Sequence, residues 1–277
     1  MNSITVLMCV YEKDNDKHFI DAIFSLKENR EYIDQTIIVI NGYISDFKRD
    51  LIKKNIDELK ITLVEIPINL GLSMALNIGL QKVKSKWVAR FDSDDICLSN
   101  RFKKMKEIIL NYEKKFDVIG TYIEEFNEYE KTKVLRKTPI SYKKIKQNIL
   151  FSNPINHVSV IFKASLIKRV GGKDFYPLID GFEDYALWIK LLSNKIKMIN
   201  LPFVSVYVRA DDKMLNRRGG IKYIFGEIKF RILILKYISF WKYPENFFYA
   251  LLRILVFSSP IFLKRLMYKI KRNFSDH

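Results

Sequence analysis

Short apolar runs alternate with amphipathic stretches over the first half of the chain. Residues 4–10, 36–40 and 61–66 are near-continuous Val, Ile, Leu and Thr, the composition of strands buried on both faces. Between them, residues 19–26 and 47–59 carry apolar positions at the i, i+3, i+4 spacing of a helix packed on one side. The alternation continues with a helix over 72–83, a strand running into Asp92, a helix over 100–112 and a strand over 118–123. Strand, helix, strand in strict succession predicts an α/β domain: a mainly parallel central sheet with helices on both faces.

Beyond residue 123 the rhythm loosens. Residues 124–136 are charged and turn-like, which suggests a hairpin or excursion. A short helix follows over 143–150 and a strand over 158–162, and Gly171-Gly172 ends a helix begun near Ala164. The run Tyr185-Ala186-Leu187-Trp188-Ile189-Lys190-Leu191-Leu192 has helical spacing and is opened by Gly181-Phe182-Glu183-Asp184. From residue 211 the character changes. Residues 223–241 and 247–263 mix large apolar residues with Lys and Arg, the composition of interfacial amphipathic helices. The second stretch is short of the roughly 20 residues a membrane span needs and contains Arg253 and Pro260. The expected division is therefore a domain over 1–210 and a basic helical tail over 211–277, which either lies on a membrane surface or packs on the domain.

Charge sharpens that division. The chain of 277 residues has a formal net charge of +17, which implies attraction to polyanions. Fourteen Lys and Arg against three acids fall from Lys213 onward, so most of the excess sits in the tail. Two cysteines, Cys9 and Cys97, and three scattered histidines give neither a disulfide framework nor a His-rich metal pattern, which fits a reducing cytosolic setting. The N-terminal residues have no basic flank and no small-residue cleavage site, so no signal peptide is expected.

The candidate chemistry lies in two acidic loci. Asp92, Asp94 and Asp95 put three carboxylates within four residues at a strand end, where open α/β sheets bind ligands. Like charges so crowded repel, and they are held together by a cation or by many hydrogen-bond donors. A hard divalent ion, Mg²⁺ or Mn²⁺, takes oxygen ligands and shares them with phosphates. The competing reading is a solvated loop in which Asp95 or Ser99 caps the next helix. Glu183 and Asp184 open a helix, where the dipole favours acids for purely structural reasons. Together the loci could divide the work of displacing a nucleoside diphosphate from a sugar: a cation on the leaving group, and a carboxylate to take the proton of an attacking hydroxyl.

In order along the chain, these motifs resemble those of family 2 glycosyltransferases of the bacterial surface-polysaccharide type. Val6-Leu7-Met8-Cys9-Val10-Tyr11 is similar to the family's first strand, and Asn69 to Asn77 to its N-x-G-x-x-x-A-x-N loop and helix. Asp92-Ser93-Asp94-Asp95 is similar to its DxD motif, Glu183-Asp184 to its ED motif, and Asn156-His157-Val158-Ser159-Val160 to a segment on the acceptor side. Likeness to the exopolysaccharide and capsule galactosyltransferases extends through Tyr207-Val208-Arg209 and residues 217–223. The resemblance implies a GT-A fold, Rossmann-like, with a donor-nucleotide site drawn from Cys9, Tyr11, Asn41, Asn69, Gly71, Asn77, Arg90, Asp92, Ser93, Asp94, Arg217 and Arg218. Asp92 and Asp94 would hold the metal. Asp184 would be the catalytic base with Glu183 beside it, and His157 would lie on the acceptor side, a lone histidine of a kind more often structural than catalytic. One departure stands out: many relatives carry an Asp pair at the end of the second strand, where this chain has Ile40-Asn41-Gly42. Asn41 could hydrogen-bond a uracil or ribose but supplies no charge.

The implied reaction is inverting transfer of a hexose, with galactose favoured, from a UDP-sugar to a glycan or polyprenyl-diphosphate-linked acceptor. The basic tail would hold the enzyme on the anionic inner face of the cell membrane, making it cytoplasmic and peripheral. Two other classes compete. A polyanion- or nucleic-acid-binding module would explain +17, yet the basic residues sit in an aromatic, aliphatic tail and no nucleic-acid motif is present, so no nucleic acid is expected. A sugar nucleotidyltransferase would begin with a Gly-rich phosphate loop, whereas residues 8–13 contain no glycine.

Overall fold

The structure, a computed structural model, describes residues 2–128, 131–210 and 221–237 together with Leu251, Leu252 and Leu255. The first half alternates as the apolar pattern predicts: β1 (Ile4–Val10), α1 (Asp16–Lys27), β2 (Gln35–Asn41), α2 (Asp46–Lys54), β3 (Ile61–Ile66), α3 (Leu72–Leu80) and β4 (Trp87–Arg90). After these come β5 (Ile96–Cys97), α4 (Arg101–Tyr112), the hairpin β6 (Val118–Asn127) and β7 (Thr132–Arg136), and α5 (Tyr142–Asn148). The last described elements are β8 (Ile161–Lys163), α6 (Ser165–Val170), α7 (Glu183–Ser193), β9 (Met198–Arg209) and α8 (Ile221–Tyr237).

The nine strands among the described residues form one sheet in the order β3-β2-β1-β4-β8-β6-β9-β5, with β7 paired to β6. The first four strands are parallel, each crossover carrying a helix. Beyond β4 the sheet is mixed: β8 is antiparallel to β4 and β6, β9 runs parallel to β6, and the short β5 closes the edge antiparallel to β9. Strand alternation sorts the core into two layers. On β1, Leu7 and Cys9 join α3, α7 and α8 on one face, while Val6, Met8 and Val10 join α1, α2 and α4 on the other. Helix α3 sits unusually close to the sheet. A Cβ at Gly79 would come within 2.6 Å of Val39 Cγ2 and 2.8 Å of Leu7 Cδ1, so even alanine there would force overpacking of about 1–3 kcal/mol.

The charged stretch 124–136 is the outer part of the β6–β7 hairpin, as its turn-like composition suggests; β7 is largely exposed, while Glu125 is buried against Arg136. One detail differs from the sequence pattern. Strand β9 escapes the apolar pattern because Pro202 and Phe203 form a bulge: Thr121 pairs with Leu201, and the next residue, Tyr122, pairs with Val204. In the expected tail, α8 packs on α7 rather than standing apart. Phe230 lies 5.1 Å from Phe182 and 4.4 Å from Tyr185, centroid to centroid. Its other side leaves Phe225, Ile228, Ile232 and Leu235 exposed. The expected stretch 247–263 lies outside the described residues apart from three leucines, all exposed. No helix among the described residues is long and apolar enough to cross a membrane.

Candidate active site

The carboxyl ends of β1, β2 and β4 converge with the start of α7 on an open cleft of about 470 Å³. Ten of the expected residues line it: Cys9, Tyr11, Asn41, Asn69, Gly71, Arg90, Asp92, Ser93, Asp94 and Glu183. Asp14, Leu72, Asp180 and Gly181 line it as well. Arg217 and Arg218 lie outside the described residues.

The acid loop is built over buried guanidinium groups. Arg90, the last residue of β4, is almost wholly buried. Its Nη1 donates to the carbonyls of Leu7, at 3.2 Å, and Phe91, and its Nη2 to Asp92 Oδ1. Burial opposes the Arg90 charge, and Asp92 with the neighbouring acids more than offsets that. Arg101, the first residue of α4, anchors the same strand end from below by donating to the Arg90 and Val158 carbonyls at 2.9 and 3.0 Å. The three acids thus occupy distinct environments. Asp92 pairs with Arg90 and stays about one-third exposed. Asp94 faces the cleft. Asp95 points inward and accepts from the Arg209 backbone N–H at 3.0 Å. Burial first, and then the charges of Asp94 and Asp92, push the Asp95 carboxyl well above the usual carboxylate range. The structure therefore corrects the capping role: the residue before α4 is Asn100, with no side-chain cap, and Asp95 is a buried strut.

Arg209, at the end of β9, is the outer clamp of this loop. Its Nε donates to the Asp94 carbonyl at 2.7 Å, and its Nη groups reach Asp21 at 2.5 Å and Glu128. One side chain therefore joins the acid loop, α1 and the β6–β7 hairpin.

The β2 end is closed upon itself. Asn41 Nδ2 donates to Asn69 Oδ1 (3.0 Å) and the Gly71 carbonyl (3.3 Å), while its Oδ1 accepts from Leu70 N (2.9 Å). Gly71, with φ of +82°, is the residue before α3 and turns the loop at a backbone conformation that favours glycine. Asn77, expected at the nucleotide, does not line the cleft. It is buried, with its amide paired on both sides to the Tyr176 backbone at 2.8 and 2.9 Å, so it fastens α3 to the segment before α7.

Glu183 and Asp184 part company at the start of α7. Glu183 turns to the cleft, and its carboxyl is pushed up to about 7, chiefly by burial and then by the charge of Asp184. Asp184 accepts from Asn153 Nδ2 at 2.6 Å and from Tyr185 N at 2.7 Å. Behind them, His157 Nε2 lies 2.9 Å from the Tyr176 hydroxyl. Burial and the nearby Arg90 charge hold the imidazole pKa well below its ordinary value, so the ring is neutral at physiological pH. Burial likewise pushes the Cys9 thiol up to about 12, which makes it a neutral lining group. Asp14, in the loop after β1, also lies in the cleft. Its Oδ2 accepts from Tyr11 N at 3.0 Å and from Ser93 Oγ at 2.7 Å.

Residues 5–170 match the sequence profile described as Glycosyl transferase family 2. The chain belongs to that family. Among its relatives, the amylovoran biosynthesis glycosyltransferase AmsE of Erwinia amylovora is 31% identical over 97% of this chain and 98% of its own length. A UDP-Gal:alpha-D-GlcNAc-diphosphoundecaprenol beta-1,3-galactosyltransferase of Escherichia coli is 34% identical, over 96% and 94% respectively. The fold of S. aureus TarS 1–349, solved in complex with UDP-GlcNAc, superposes with a TM-score of 0.67 at 17% identity, covering 92% of this chain and 73% of that one. Against the longer TarS chain the covered share is 44%. The family 2 domain of the present chain is thus a glycosyltransferase domain on a GT-A fold.

Among the described residues no group of three or more His, Cys, Asp or Glu side chains could hold a metal ion. What the cleft does offer is Asp94 and the partly exposed Asp92, two hard oxygen donors. That set suits Mg²⁺ or Mn²⁺ bound through one or two carboxylates and completed by substrate phosphates, as such ions usually are.

Proposed function

We propose that this family 2 enzyme transfers a hexose, galactose, from its UDP-linked donor to a polyprenyl-diphosphate-linked acceptor with inversion at the anomeric carbon. The observation that carries this reading is the single cleft that brings the Tyr11 and Asn69–Gly71 loops, the Asp92–Asp94 loop and Glu183 together. The name of the similar Escherichia coli galactosyltransferase supplies the donor and acceptor classes.

The acceptor hydroxyl oxygen forms a bond to the sugar C1 as the bond from C1 to the diphosphate oxygen breaks; the hydroxyl proton passes to a carboxylate and UDP leaves. Asp184 takes that proton, and Asn153 fixes the orientation of its carboxylate. Glu183 is the second candidate for this step, favoured by one observation: it faces the cleft with its carboxyl at about 7, near the optimum for a general base at neutral pH. Asp92 and Asp94 would hold a divalent cation. The chemistry such a cation supplies is neutralisation of charge on the leaving group. Arg90 fixes Asp92 from beneath and adds positive charge to the floor.

The tail supports placement at the inner face of the membrane, where such an acceptor is found. Phe225, Ile228, Ile232 and Leu235 form one exposed apolar stripe on α8, and the sequence from Lys213 onward is strongly basic. The test is a screen of UDP-galactose, UDP-glucose and their N-acetyl forms, with and without Mn²⁺ or Mg²⁺, for UDP release and sugar transfer. Metal-dependent release of UDP from UDP-galactose is expected. Release of pyrophosphate in place of UDP would mark a nucleotidyltransferase and overturn the reading.

A further inference from the structure

Asp14 stands four residues beyond β1, and its two carboxylate oxygens are used unequally. Oδ2 accepts both local hydrogen bonds, from Tyr11 N and Ser93 Oγ, and so locks the loop after β1 to the middle of the acid loop. Oδ1 accepts none of the hydrogen bonds among the described residues, although the side chain lines the cleft beside Tyr11. A half-buried carboxylate oxygen fixed in place and open to a ligand cleft is a ready acceptor for an N–H or O–H.

Asn41 is largely committed to the loop instead. Both of its amide hydrogens are donated within the loop, to Asn69 Oδ1 and the Gly71 carbonyl, and its oxygen holds Leu70 N. The β2 end, where many relatives place an acid, is here spent on loop closure. Asp92 is paired with Arg90, and Asp95 points away from the cleft. The acid on the Tyr11 side of the cleft is therefore Asp14. Burial raises its pKa, and Asp92 adds to the rise, while the hydrogen bonds and the Lys48 charge oppose it.

We propose that Asp14 Oδ1 accepts a hydrogen bond from the nucleoside part of the donor, either the ring N–H of the base or a ribose hydroxyl, and so contributes to nucleotide specificity in place of Asn41. This rests on the sugar-nucleotide reading of the cleft.

The test is calorimetric binding of UDP, CDP, 2′-deoxy-UDP and 3′-deoxy-UDP to the full chain and to Asp14→Asn. In the variant the amide oxygen keeps the Tyr11 and Ser93 bonds, because only oxygen can accept them, so the NH₂ group must take the open position. The wild type should bind UDP about tenfold or more tighter than either CDP, whose ring nitrogen carries no hydrogen at that edge, or one deoxy form. Asp14→Asn should erase that same preference. Erasure of the UDP over CDP ratio assigns the base, and erasure of the ribose over deoxyribose ratio assigns the sugar. A wild type indifferent to all three changes, or a folded variant that keeps both ratios, overturns the assignment and leaves the glycosyltransferase reading intact. A wild type that binds no nucleotide overturns that reading, and this assignment with it.

Discussion

Glu183→Gln should stabilise the ligand-free protein in a pH-dependent way. Its carboxyl rises from 4.5 to about 7 in the folded chain, first through burial and then through Asp184. At about 1.4 kcal/mol per pH unit, that is about 3 kcal/mol in favour of the protonated form. The cleft is open to solvent, so about 2 kcal/mol is the better expectation. The sign follows from proton counting. Between roughly pH 4.5 and 7 the folded state holds the proton that the unfolded state has lost. The stability that the protonated carboxyl contributes is full below that window and is lost as pH rises through it. Glutamine carries no titrating group, so the variant keeps it. Thermal unfolding of both proteins at pH 5 and pH 8 should show the variant gaining about 4–8 °C on the wild type between the two, on the usual conversion for domains of this size. Asp14 and Asp95 titrate in both proteins, so their contributions cancel in the difference. A gap independent of pH would show that Glu183 is not held protonated by its surroundings.

Three further outcomes follow from the geometry. Asn41→Asp keeps an acceptor for Leu70 N but sets a carboxylate against Asn69 Oδ1 and the Gly71 carbonyl. It should cost about 1–3 kcal/mol in denaturant unfolding, and an unchanged midpoint would contradict the closed-loop account. Arg209→Ala removes the clamp on the Asp94 carbonyl and should weaken UDP binding by roughly tenfold, with Arg209→Lys recovering only part, because an ammonium lacks the planar fork; full binding by the alanine variant would refute the clamp. Replacing Ile232 and Phe225 by Asp, both exposed, should leave thermal stability nearly unchanged yet reduce sedimentation with vesicles containing anionic lipid, and undiminished sedimentation would remove α8 from the membrane contact.

The parallel half of the sheet was legible because its strands are continuous apolar runs and its helices keep their spacing, so period alone separates them. The acid loop was legible because three carboxylates crowd four residues. Asp14 was not, since its partner Ser93 lies 79 residues away and its own neighbours Glu12 and Asp16 are exposed. Asn77 fits the donor-loop motif by spacing, but the amide is used up by Tyr176, 99 residues on. Arg209 is invisible as a clamp for the same reason: it acts on Asp94 across 115 residues, at the end of a strand that Pro202 disguises. Local density and period can be read from a chain, whereas pairing across the sheet needs the fold.

The central claim is that separate acids bind the donor, in the cleft, and activate the acceptor, at the start of α7, and the most direct measurement pairs two variants. UDP affinity and sugar transfer from UDP-galactose to a polyprenyl-diphosphate-linked acceptor would be measured for Asp94→Ala and Asp184→Asn with Mn²⁺ present. The account predicts that Asp94→Ala loses metal-dependent UDP binding, and that Asp184→Asn binds UDP nearly as the wild type does while transfer is abolished. Full transfer by Asp184→Asn, or unchanged UDP affinity in Asp94→Ala, would contradict it.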